Sequence, residues 1–176
     1  PDHPQQAWTT DTDAPVTPAT ATTLPTATFS VMRKTYPQRQ AFPHIGTVTT
    51  RWTDNDIYGH VNNAVYYHYF DSVINAYLID QGGLDIQQGE VVGFIVHSAC
   101  DYLGPVAYPG NLEVGIATTK VGNSSVTYQV ALFKPGESAP SAVGSMVHVF
   151  VAQASNQPVA IPERLRQALQ AIALRA

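Results

Sequence analysis

The chain has 176 residues, of which 44% are apolar and 12% charged, and a formal net charge of -4. That length holds one domain with a real core and is short for two, and so low a charge content leaves much of the surface polarity to Thr, Ser, Gln and Asn. Scattered Lys and Arg form no basic stripe for nucleic acid or an anionic membrane, no apolar run approaches the ~20 residues of a membrane span, and residues 1–30 lack the basic start and apolar block of a signal peptide.

Residues 1–43 are rich in Thr, Pro and Ala, as in TTDTDAPVTPATATTLPTATF. They show no sustained period of 2 or 3.6 and read as an N-terminal extension, with the domain proper at 44–176. HIGTVTTRWTD then sets Ile45, Val48 and Trp52 among Thr residues of high β propensity, which predicts a first strand ending near Thr53. From Asn62 the pattern changes to NNAVYYHYFDSVINAYLIDQGG, a helix of about five turns capped by Asn62 or Asn63 and stopped by Gly82 and Gly83. Tyr66, Phe70, Val73, Ile74 and Tyr77 spread widely around it, so burial on more than one side is expected.

Four β-rich runs follow, at 91–103, 110–122, 124–135 and 141–153, separated by GPVAYPG, a tight hairpin at VGNSSVTY, and GESAP. The first contains the single cysteine, Cys100, which reads as a small buried hydrophobe. One cysteine gives neither a disulfide framework nor a Cys pair for zinc, and a reducing compartment, the cytoplasm, is expected. IPERLRQALQAIALRA closes the chain as an amphipathic helix, with Pro162 at its first turn and Leu165, Leu169 and Ile172 on one stripe. One strand, a long helix and four consecutive strands point to an α+β fold, an antiparallel sheet curled around the helix.

Residues 54–63, DNDIYGHVNN, carry the densest chemistry. Asp54 and Asp56 end a strand, Gly59 allows a turn, and the Asn pair opens a helix whose free N–H groups face back to that turn. A carboxylate therefore stands beside a preformed oxyanion site, the arrangement that attack on a carbonyl carbon requires. A plain strand-to-helix connection uses the same residue types. A calcium loop does not fit, because the twelfth position from Asp54 is Val65 where a bidentate Glu is needed. A metal held by Asp54, Asp56 and His60 would need a further ligand from elsewhere, and no metal or other cofactor is expected.

TDNDIYGHVNNAVYYHYFDSVINAYL resembles the signature of the 4-hydroxybenzoyl-CoA thioesterase-like branch of the hotdog-fold acyl-CoA thioesterases, with its D-x-x-G-H-V-N-N pattern. The likeness continues through DYLGPVAYPGNLEV and VGNSSVTYQVALF to PVAIPERLRQAL, covering roughly residues 44–172. It implies a hotdog fold and hydrolysis of an acyl-CoA thioester to a carboxylic acid and CoA. Asp56 matches the catalytic carboxylate, as nucleophile or as general base toward water, with Asp54 secondary. The backbone amide of Asn63 matches the group that polarises the thioester carbonyl, and Gly59, His60, Asn62 and Tyr66 shape or line the substrate site.

Elsewhere, His97, Ser98 and His148 read as strand residues with satisfied side chains, Tyr67 and Tyr69 as core and interface residues, and Lys120 with the GNSS turn as a solvated hairpin. Enoyl-CoA hydratases of the same fold resemble one another in placing Asp and His five positions apart, a spacing absent here because Asp54 and Asp56 stand six and four before His60. Two other readings compete: a non-catalytic acyl-binding module, and a thioesterase acting on acyl-carrier protein. One such domain leaves a sheet edge unpaired, so a homodimer or homotetramer with the active site between subunits is expected from edge-strand physics and from the resemblance alike.

Overall fold

The computed structural model describes residues 34–175, so most of the N-terminal extension, residues 1–33, lies outside the described residues. The elements run β1 (His44–Thr49), α1 (Val65–Asp80), β2 (Val91–Tyr102), β3 (Asn111–Val121), β4 (Ser125–Phe133), β5 (Ala142–Ala152) and α2 (Glu163–Ala171), with short 3-10 turns at Arg39–Ala41 and Trp52–Asp54. All five strands form one sheet in the order β1-β3-β4-β5-β2, and every neighbouring pair is antiparallel. This is the hotdog arrangement: the sheet curls around α1, and β1 and β2 are its edges.

Side-chain alternation divides the core between the two faces of the sheet. On β4, Val126, Tyr128, Val130 and Leu132 join the cluster that contains α1, whereas Ala131 and Phe133 join Phe42, Ala117 and Val143 on the opposite face. Period 2 in the sequence thus becomes two packed layers. Helix α1 buries Tyr66, Tyr69, Phe70, Val73, Ile74, Tyr77 and Leu78, and side chains of this size each stabilise by about 1.5–3 kcal/mol on full burial. Its main contacts are with β1, β3 and β4. On β1 the close approach depends on Gly46, where an added Cβ would lie 2.6 Å from Val73 Cγ1.

Three predicted boundaries differ. β1 ends at Thr49, which pairs with the first residue of β3, Asn111; after Thr50 donates to the Gly110 carbonyl the chain turns away, leaving Trp52 80% exposed. α1 begins at Val65 rather than at Asn62 because the Asn62 side chain accepts from the Ala64 N–H at 3.0 Å and holds residues 62–64 as a turn. Phe42, within the predicted extension, is buried against Phe133 with ring centroids 5.7 Å apart, and Thr35 onward belongs to the same unit as the sheet. The terminal helix buries Leu165, Leu169 and Ile172 together, and Arg166 from it holds the β3–β4 hairpin through the carbonyls of Gly122 and Asn123.

Candidate active site

The connection from β1 to α1 is fixed by the first of its two carboxylates. Asp54 is 7% exposed, and its Oδ2 accepts from the Tyr69 hydroxyl at 2.6 Å and from the Arg51 N–H at 2.7 Å. Burial, then the hydrogen bond to Asp54, pushes the Tyr69 phenol well above its ordinary value, so it stays a donor. The Asp54 carbonyl in turn accepts from the Asn62 N–H at 2.8 Å. One residue therefore joins the 3-10 turn, the helix and the turn that leads into the helix.

Asp56 is half-exposed. Its Oδ1 accepts from the Tyr58 N–H at 2.8 Å, which orients the carboxylate, while Oδ2 takes no hydrogen bond from the described residues. The turn closes through Asp56 N–H to the His60 carbonyl at 2.8 Å and Gly59 N–H to the Asp56 carbonyl at 3.1 Å. Gly59 has φ +81°, the left-handed region in which a Cβ is strained. These bonds place Asp56 at the mouth of an open cleft of about 400 Å³, lined also by Val61, Asn63, Tyr66, Tyr102, Leu103, Gly104 and Pro105.

At the start of α1 the backbone donors can be followed one at a time. Asn62 N–H goes to the Asp54 carbonyl and Val65 N–H to the Asn62 carbonyl, while Ala64 N–H goes to the Asn62 side chain. Asn63 N–H, between them, has no acceptor among the described residues, and it stands in the cleft that contains Asp56. The residue is held from behind: Tyr102 on β2 donates its hydroxyl to the Asn63 carbonyl at 2.9 Å. Tyr102 also packs edge to face on Tyr66, with centroids 5.0 Å apart. Burial first, then neighbouring Cys100 and Tyr67, pushes the Tyr102 phenol up to about 12, so at neutral pH it keeps the proton that it donates. A free N–H at a helix N-terminus is a strong donor to an oxyanion.

The cleft thus brings together Asp56, Asn63 and Tyr66 of the sequence-derived set. It does not include the others as lining groups. His60 is exposed and uses its carbonyl in the turn, and Asn62 spends its side chain as a cap. Gly59 contributes only its backbone shape. Tyr102, Leu103, Gly104 and Pro105 were missed, although DYLGP lies within the resembling segment. Cys100 is half-buried beside this wall, and burial pushes its thiol up to about 11, which makes it a poor nucleophile at neutral pH. His148 departs from the satisfied strand histidine that was expected: it is buried, and its Nδ1 has no partner among the described residues. No group of three or more His, Cys, Asp or Glu able to hold a metal occurs among the described residues, and none of their helices is long and apolar enough to cross a membrane.

Comparison with known proteins decides the family, because the model of the thioesterase-like superfamily matches residues 50–169, a span that contains the whole cleft. The chain belongs to the thioesterase-like superfamily. Among solved structures, this thioesterase-like chain is similar to the PA5185 protein of Pseudomonas aeruginosa strain PAO1, at 53% identity and a TM-score of 0.78, over 80% of this chain and 98% of that one. It is also similar to a thioesterase of Thermus thermophilus complexed with coenzyme A and Zn, at 30% identity and a TM-score of 0.63, over 75% of this chain and 95% of that one. A further relative is the uncharacterized protein YsmA of Bacillus subtilis strain 168, 26% identical over 131 residues, which are 74% of this chain and 88% of that protein. Thioesterase activity in the general sense follows from membership.

Proposed function

We propose that the protein hydrolyses an acyl-CoA thioester, with the Asp56 carboxylate as base or nucleophile and the Asn63 N–H as the oxyanion donor. The observation that carries this reading is an unclaimed backbone donor, Asn63 N–H, at the entry to α1, in one cleft with a carboxylate that keeps one oxygen free of the described residues. In the base route, Asp56 takes a proton from water, the oxygen of that water bonds to the thioester carbon, and the carbonyl oxygen becomes negative against Asn63 N–H. Collapse breaks the C–S bond and the CoA thiolate takes the proton. In the nucleophile route, a carboxylate oxygen of Asp56 bonds to the carbonyl carbon and CoA thiolate leaves; water then cleaves the mixed anhydride. If water cleaves the anhydride at the Asp56 carbonyl, single turnover in heavy-oxygen water leaves label in Asp56 and releases unlabelled acid, an outcome that the base route does not give.

Coenzyme A, rather than acyl-carrier protein, is the carrier favoured by the 30% identical Thermus thermophilus thioesterase complexed with coenzyme A. We further propose that the active unit pairs two copies along β2. That edge exposes Phe94, Ile95 and Val96, with Ile95 40% and Val96 60% accessible, while Ile57 and Tyr58 beside Asp56 are also uncovered. Apolar side chains on an unpaired strand are an association surface, and this one adjoins the cleft through Tyr102. The test is free-thiol release from short, long and aromatic acyl-CoAs. Turnover of at least one of them supports the reading and gives the acyl class; binding without cleavage across the panel overturns it in favour of an acyl-binding module.

A further inference from the structure

Among the described residues, the three most exposed large apolar side chains are Ile57, Trp52 and Tyr58, all in the connection from β1 to α1. Trp52 is 80% accessible, although tryptophan is highly buried on average. It meets Tyr108 of the β2–β3 loop edge to face, with centroids 5.9 Å apart and planes at 89°. That contact holds the indole in place and leaves most of its surface open. Grouped aromatic side chains in solvent beside a cleft mark a surface for a ligand or partner.

Hydrogen bonds relate the aromatic pair to the cleft by fixing two loops side by side. Val61 N–H donates to the Val106 carbonyl at 2.8 Å, Tyr108 N–H to the Asn55 side-chain oxygen at 3.1 Å, and Thr50 N–H to the Gly110 carbonyl at 2.9 Å. The β2–β3 loop therefore runs from the cleft wall at Leu103, Gly104 and Pro105, past Val61, to the aromatic pair. Trp52 is four residues from Asp56, a backbone separation of at most about 14 Å, which the flexible pantetheine arm of CoA spans. Trp52 follows β1 and Tyr108 precedes β3, whereas β2 is the opposite edge of the sheet, so the pair is remote from the edge assigned to a second copy. Arg51, immediately before Trp52, is exposed, and its guanidinium has no ion-pair partner among the described residues.

Resting on the thioesterase reading, we propose that Trp52 and Tyr108 bind the adenine of CoA, with Arg51 supplying a cation for its phosphates, and that this site selects CoA over carrier-bound phosphopantetheine. A purine stacks on an aromatic side chain through its π-face, with no particular hydrogen-bond pattern required. A guanidinium without a carboxylate partner suits the phosphates attached to that nucleoside. Acyl-carrier protein presents the same thioester and pantetheine arm without the nucleoside, so it forgoes these contacts. The cleft then reads the thioester, and the loop pair beside it reads the carrier.

The test uses thioethers, which cannot be hydrolysed, with one acyl chain carried on CoA or on phosphopantetheine. Calorimetric binding is measured with the native protein, Trp52→Ala and Tyr108→Ala, each checked for native circular dichroism. The native protein should bind the CoA thioether at least about fivefold tighter, the lower end of what stacking one base contributes. Trp52→Ala should reduce that ratio by a similar factor, and Tyr108→Ala should move it in the same direction. The chain has two tryptophans, so Trp8→Phe leaves Trp52 as the only indole, and its emission should be quenched by the CoA thioether and not by the phosphopantetheine thioether. Equal native affinities, a ratio unchanged in Trp52→Ala, no CoA-specific quenching, or no binding of either thioether overturns the proposal. Thiol release as fast from acyl-phosphopantetheine as from acyl-CoA would also overturn it while leaving hydrolysis intact. A CoA preference that depends on Trp52, with no thiol release from any acyl-CoA, would sink the catalytic role of Asp56 and leave the adenine site standing.

Discussion

Tyr69→Phe isolates the bond that holds the β1–α1 connection. The substitution removes one oxygen and leaves the ring, so no sizeable cavity opens; what changes is that Asp54 Oδ2 loses its 2.6 Å donor and keeps only the Arg51 N–H at 2.7 Å. Both residues are under a tenth exposed, so water replaces the lost donor poorly. A hydrogen bond to a charged group contributes about 1.5–3 kcal/mol. For a domain of this size each kcal/mol lowers Tm by about 2–4 °C, which predicts a fall of about 3–12 °C. Because Asp54 also accepts the Asn62 N–H through its carbonyl, the loosened turn should lower thioester kcat as well. Urea denaturation of Tyr69→Phe, Asp54→Asn and the double variant, alongside thiol release, is the assay, and a coupling energy of at least about 1 kcal/mol is expected from two residues in one network. Tyr69→Phe with native stability to within about 0.5 kcal/mol, the usual range for a neutral surface change, would refute the reasoning.

Gly46→Ala should destabilise by about 1–3 kcal/mol through overpacking, since its Cβ would meet Val73 Cγ1 at 2.6 Å; urea midpoints of Gly46→Ala with and without Val73→Ala check this, and the second change should restore part of the loss. Cys100, whose thiol is pushed up to about 11, should alkylate slowly at pH 8 and accelerate as the pH approaches 11; a rate already at its plateau by pH 9 would contradict the burial argument. Burial holds His148 below its ordinary value, partly opposed by the charge of Asp71, so the unfolded chain binds the proton more readily than the fold does. Stability should therefore fall as the pH drops below the unfolded value of about 6.5, until the folded group also titrates. His148→Phe should flatten that slope when denaturation midpoints at pH 7.5 and pH 5 are compared.

Much of the fold was legible because its signals are local. Alternation in β4 and the wide apolar spread of Tyr66, Phe70, Val73, Ile74 and Tyr77 identify elements and faces without tertiary information. The limits of elements depended on partners: β1 stops at Thr49 because β3 begins opposite it, and nothing in TTRWTD announces that. The two Asp residues of DNDIYG are alike in sequence, and only burial separates a carboxylate engaged with Tyr69 from one open to the cleft. Tyr102 meets Asn63 across 39 positions of chain, a contact that no local pattern carries. For His148, alternation indicated a face of the sheet and not whether the ring found a partner.

The central claim is that Asp56 acts on a carbonyl whose oxygen is held by Asn63 N–H. The most direct test is kcat of Asp56→Asn relative to the native protein on the best acyl-CoA of the panel, with the Kd of the matching thioether measured on both. The account predicts that kcat falls by at least about a hundredfold, as for loss of a general base, while Kd and Tm stay close to native because the Asn side-chain oxygen can still accept from Tyr58 N–H. Turnover within a few-fold of native, with the fold intact, would contradict it.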